Sequence, residues 1–150
     1  MAPLFAFLHH VAAFTLVSAL VLEFVLIRSE LSLKSARQIQ VADLIFGISA
    51  GVILVVGLLR VLYFEKGAAY YFHSIPFMIK FTLFVLVALL SIYPTLEFLS
   101  WRRFLGTGQV PVLSERKGRT IRMIIHLELA GILFLILCAA LMARGVGYRA

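Results

Sequence analysis

The chain has 150 residues, 63% of them hydrophobic and only 14% charged, with a mean hydropathy of +1.06. That balance excludes an ordinary soluble core and, with it, a soluble catalytic domain, because almost no chain is left outside a bilayer. The net charge of +7 sits between apolar runs, where it sets topology and meets lipid headgroups rather than nucleic acid, and the single Cys138 excludes a disulfide framework or a CxxC metal site.

A hydrocarbon core about 30 Å thick needs roughly 20 helical residues at about 1.5 Å each. The first run of that length covers residues 4–27. No Lys or Arg precedes it and it is longer than a signal-peptide core, so it is expected to stay as a helix. The second, residues 41–64, carries Gly47 and Gly51 as a small-xxx-small pair suited to close helix packing, with Gly57 further on. The third, residues 75–99, opens with Pro76 in its first turn and holds Pro94, which is expected to kink it. The fourth covers residues 120–143 and is expected to stop at Gly145. The fold expected is all-α: one domain over residues 1–150, an antiparallel bundle of four transmembrane helices.

Orientation follows from the basic residues of the short loops, which stay on the cytoplasmic side. Arg28, Lys34, Arg37, Arg102, Arg103, Arg116, Lys117, Arg119 and Arg122 fall on one side, nine in all, against Lys66, Arg144 and Arg149 on the other. In a bacterium this places both termini in the periplasm and makes the chain a multi-pass inner-membrane protein. The connection from Trp101 to Arg119 is expected to lie on the inner leaflet. Tyr63, Tyr70, Tyr71, Tyr93 and Trp101 suit interfacial belts.

Ionisable side chains within a span are costly and usually face the bundle interior, a partner or a ligand. Antiparallel threading sorts them into two layers. His9, His10, Arg60, His73 and Lys80 lie toward the outer face, and Glu23, Asp43, Glu97, His126 and Glu128 toward the inner one. The outer layer holds cations and imidazoles with no carboxylate at its depth in the spans. Glu65 in the adjacent loop is one source of negative charge. A b-type haem is another, since its iron takes an imidazole nitrogen and its propionates sit beside Arg or Lys. Snorkelling competes for Arg60 and Lys80. His73 reads as a loop residue.

Adjacent residues on a helix point about 100° apart, so one of His9 and His10 at most faces a given iron. Glu23 follows His9 by fourteen residues, which returns it to within about 40° of the same face, and Ala12 and Ala19 on that stripe would leave room for a flat ring. Phase therefore favours His9. In the inner layer Asp43 suits a helix start, and Glu97 a pair with Arg102 or Arg103. Glu23, His126 and Glu128 lie deeper, about 7 to 10 Å inside the boundary, and form either a proton relay or an interhelix clasp.

These residues resemble a known family. A Phe-Leu-His within the first span, Val56-Gly57-Leu58-Leu59 near the end of the second, and Ile79-Lys80-Phe81-Thr82 in the third are similar to the HemJ-type protoporphyrinogen IX oxidases. The resemblance implies a small bacterial helical membrane protein that binds haem b, with the family's histidine falling on His9 or His10 and its lysine on Lys80. It also matches the family at Glu128. Met78 stands where the family has a histidine, and Leu127 where it has an asparagine. The Leu-His-His start and the Met142-Ala143-Arg144-Gly145 ending resemble more closely a family of small bacterial four-span proteins of unknown function.

The function expected is that of an integral membrane redox protein binding haem b through His9 or His10 and Lys80, with Arg60 holding carboxylates. Its work would be electron transfer or porphyrinogen oxidation, so any enzyme here is an oxidoreductase resembling protoporphyrinogen IX oxidase. The alternative is a non-catalytic accessory subunit beside a larger membrane complex; a third is a transporter or channel, for which four spans without a repeat need a homo-oligomer. In each case the lipid bilayer is the constant partner. No hydrolytic triad, phosphate loop or zinc spacing occurs.

Overall fold

The computed structural model describes residues 2–64, 73 and 75–144. Its elements are α1 (Ala2–Leu26), α2 (Leu33–Leu59), α3 (Ile75–Ser100), α4 (Arg102–Gly106) and α5 (Glu115–Ala143), with no strand among the described residues. The last turn of α2 widens into a π-helical turn over Arg60–Phe64. The four long helices have 25, 27, 26 and 29 residues. At about 1.5 Å per residue they run roughly 38 to 44 Å, longer than the hydrocarbon core. All four are apolar and long enough to cross a membrane.

Two helices start earlier than the apolar runs do. The second begins at Leu33, not residue 41, because Ser32 caps it: the Ser35 backbone N–H donates to Ser32 Oγ at 3.1 Å while the Ser32 N–H donates to Ser35 Oγ at 2.8 Å. Its polar first turns still bury Ala36 and Ile39 completely. The last begins at Glu115 rather than 120, with Ser114 accepting from the Lys117 N–H at 3.4 Å. It ends at Ala143, and the expected stop at Gly145 lies outside the described residues. Pro94 is buried within α3, whose helical run continues through it.

The connection between α3 and α5 does not simply lie on the surface. Trp101, Leu105 and Pro111 are buried, and α4 closes with Gly108 at φ +73°, a left-handed turn that lets the Gln109 N–H reach the Phe104 carbonyl at 2.9 Å. Arg37 and Gln40 on α2 donate to the Leu105 and Phe98 carbonyls at 3.5 and 2.5 Å. Trp101 is therefore no belt residue: it is 1% exposed, with its ring centroid 5.0 Å from that of Phe98. Together with Leu20, Ile39, Ile121 and Ile125 it forms a core at the end of the bundle expected to face inward.

The tightest helix pairs are α1 with α2 and α3 with α5, and contacts of α1 with α5 and α2 with α3 close the ring. On α1 the buried positions Ala12, Leu16, Ala19, Leu20, Glu23 and Ile27 recur every three or four residues, whereas Phe7 and Phe14 face outward. Gly47 and Gly51 are exposed, with nothing within 4 Å of where a Cβ would stand, so the expected close packing does not occur at them. The close approach is at Gly131 on α5, where a Cβ would meet Val87 Cγ2 of α3 at 2.7 Å.

Candidate functional site

Two polar layers occupy the bundle, one at each end. In the outer layer the two histidines part as helical phase requires. His10 is exposed and its Nδ1 lies 2.6 Å from the Ala6 carbonyl one turn back. His9 is half-buried and its Nδ1 is shut off from solvent with no hydrogen-bond partner. Its ring lies beside the Ile53 carbonyl and within electrostatic reach of Lys80 and Arg60. Gly57 of α2 faces it: a Cβ there would stand 3.5 Å from His9 Cε1 and 3.8 Å from Nδ1.

Thus α1, the π turn ending α2, and α3 bring His9, Arg60 and Lys80 together, while His10 and His73 are exposed. Arg60 and Lys80 are themselves half-buried. Phe77 and Phe81 stack on α3 beside Lys80, with centroids 6.4 Å apart. Ala12 and Ala19 are 8% and 6% exposed, so the stripe below His9 is filled by helix packing and offers no slot for a ring. Glu65, Lys66, Tyr70 and Tyr71 lie outside the described residues.

The inner layer gathers carboxyls from three helices. Glu23 of α1, Asp43 of α2 and Glu128 of α5 are 2%, 8% and 1% exposed and lie within electrostatic reach of one another. Asp43 does not cap a helix. The Ser32 start leaves it ten residues along α2, where Thr95 of α3 donates a 2.6 Å hydrogen bond to its Oδ1. Oε1 of both Glu23 and Glu128 is buried without a partner.

His126 does not join them. It is exposed, its Nδ1 lies 2.6 Å from the Arg122 carbonyl and its ring packs edge-on against Phe24 at 4.7 Å. Residues two apart on a helix point about 200° apart, which separates His126 from Glu128. Glu97 pairs with Lys117 at 2.9 Å rather than with Arg102 or Arg103, because the early start of α5 carries Lys117 to it. Thr95 is the contributor that sequence reasoning missed; its place opposite Asp43 depends on how α2 and α3 register.

The family described as "Predicted membrane protein (DUF2214)" matches residues 2–147, nearly the whole chain. The chain belongs to the DUF2214 family. No curated protein and no solved structure matches it. Membership agrees with the four apolar helices and makes this DUF2214 protein an integral membrane protein.

Proposed function

We propose that this DUF2214 protein is a redox protein of the bacterial inner membrane, with both termini in the periplasm, that holds a b-type haem in its outer half. The observation carrying this reading is the buried, unpartnered Nδ1 of His9, set beside Arg60 and Lys80. A buried imidazole nitrogen that no protein group takes up is available to a metal ion. Gly57 leaves that ring edge free of side-chain atoms. The side-chain chemistry suits haem, which would have to lie beyond the filled stripe of Ala12 and Ala19: His9 would bind the iron, Lys80 the iron or a propionate, and Arg60 a propionate. Bound there, the group would supply one-electron exchange, for electron transfer or porphyrinogen oxidation of the kind the HemJ-type resemblance implies. The chain's own part is to hold the imidazole, place two cations at the carboxylates and exclude water on the α1 side.

Absorption spectra of the detergent-purified chain, as isolated and after reconstitution with haem, test this. A Soret band is expected in the wild type and in His10→Ala, and its loss in His9→Ala. No Soret band in the wild type after reconstitution sinks the proposal.

A second reading, the accessory subunit, is favoured by the bare glycine face of α2 at Gly47 and Gly51. Small residues let another helix approach closely in a membrane. Copurification with a stable larger assembly, together with the absence of a chromophore, would select it.

A further inference from the structure

Carboxyl groups inside a membrane bundle usually have an identifiable counter-charge, and among the described residues the ion pair present, Lys117 with Glu97, does not include the inner layer. Every charged group near it is turned elsewhere. On α1, Arg28 is exposed and sits over the Phe24 ring at 4.5 Å. On α2, Arg37 and Gln40 donate to backbone carbonyls. On α3, Glu97 is held by Lys117. On α5, His126 faces out and bonds the Arg122 carbonyl, and Arg122 lies along Gly118 toward the inner aqueous side. Asp43 and Glu128 lie within electrostatic reach of Glu23.

Three buried carboxyls with only one another for company cannot all carry charge. Two of them also present an oxygen with no donor, Oε1 of Glu23 and Oε1 of Glu128, each on a side chain at least 98% buried. An orphan acceptor is satisfied by a donor, and a neighbouring carboxyl that carries a proton is one.

We propose that Glu23, Asp43 and Glu128 form an intramembrane proton-binding site that exchanges with the inner aqueous face. Thr95 fixes Asp43 as an acceptor, leaving the two glutamates to carry the mobile proton. Uptake transfers H+ from hydronium to a glutamate carboxylate oxygen, forming its O–H bond and leaving water; release is the reverse. Access comes from the inner end. Glu23 is one turn from the end of α1, and a cleft of about 550 Å³ opens beyond it, lined by Ile27 on the same face together with Ser29, Ser114, Arg119 and Arg122. Ile27, four residues beyond Glu23, is 3% exposed and lines that cleft. This site uses none of the residues assigned to haem, so it stands or falls separately.

Infrared difference spectra of the full chain in lipid, recorded across pH in H2O and D2O, test it. In the wild type the C=O stretch of protonated carboxyls is expected at neutral pH, and it shifts in D2O as the proton exchanges. Glu23→Gln and Glu128→Gln each lose part of that band, the double variant loses most of it, and Glu115→Gln on the exposed start of α5 keeps it. No such band in the wild type overturns the proposal. A band untouched by either glutamine, or one that never exchanges with D2O, does so too, the latter because it describes a sealed clasp.

Discussion

Replacing Gly131 by alanine puts a new Cβ 2.7 Å from Val87 Cγ2 across the contact of α3 with α5. Carbon atoms rest about 3.5 to 4.0 Å apart, so roughly 1 Å must open. Val87 cannot swing aside: it is 7% exposed, and a β-branched side chain on a helix has one strongly preferred rotamer. The strain must then reach the backbones, and overpacking of this kind costs about 1 to 3 kcal/mol. Alanine recovers about 0.5 to 1 kcal/mol through its better helix propensity, leaving a net loss of about 0.5 to 2 kcal/mol. The assay is a double-mutant cycle of reversible unfolding in detergent: wild type, Gly131→Ala, Val87→Ala and both together. Since Val87→Ala removes the clashing methyl, the second substitution should be milder on that background, with a coupling of about 0.5 to 3 kcal/mol. If Gly131→Ala is as stable as the wild type, or equally harmful on both backgrounds, the spacing of α3 and α5 is not the one described.

Thr95→Val removes the donor to Asp43 and is expected to destabilise the bundle by about 0.6 kcal/mol and at most about 1.7, the range for hydrogen bonds between membrane helices; an unchanged unfolding midpoint would count against the bond. Glu128→Leu replaces a buried carboxyl by an apolar side chain and should raise the midpoint, since burying a polar group costs about 1 to 3 kcal/mol; a fall would mean that its hydrogen bonding outweighs that cost. The single Trp101 should emit at short wavelength and resist aqueous quenchers, as its 1% exposure requires, and ready quenching by iodide would return it to the interface.

The number and place of the spans were legible because the length of an apolar run against the thickness of a bilayer is a one-dimensional quantity. The ends were not, because Ser32 and Ser114 cap polar turns that carry no hydropathy signal. That error spread. With α2 started at residue 41, Asp43 reads as a cap; started at Leu33, it is a buried member of the inner layer. Glu97 was likewise given to Arg102 or Arg103 by nearness in sequence, whereas α5 reaches back far enough for Lys117 to take it. Helical phase separates His9 from His10, and the same phase separates His126 from Glu128. Which glycine makes the close approach was not readable, since Gly47, Gly51 and Gly131 differ only in what lies opposite them.

The two layers share helix faces yet are set far apart, and their spacing decides how they can communicate. His9 and Glu23 are fourteen residues apart on α1, about 21 Å at the helical rise. Between them α1 buries Ala12, Leu16, Ala19 and Leu20, none able to pass a proton, and among the described residues Ser49 of α2 is the buried polar side chain at that depth. A hydrogen-bonded wire from end to end is not built here. Charge remains. A unit charge about 21 Å away at an effective dielectric constant of about 20 interacts by about 0.8 kcal/mol, roughly fourfold in an equilibrium constant. An electron placed on the outer site would therefore favour protonation of the inner carboxyls about fourfold, a modest bias rather than an obligatory coupling. Repeating the infrared titration on haem-loaded protein, oxidised and reduced, measures that bias directly. A shift of a hundredfold or more would require a connecting path through the middle of the bundle, and that is where the packed alanine and leucine turns of α1 stand.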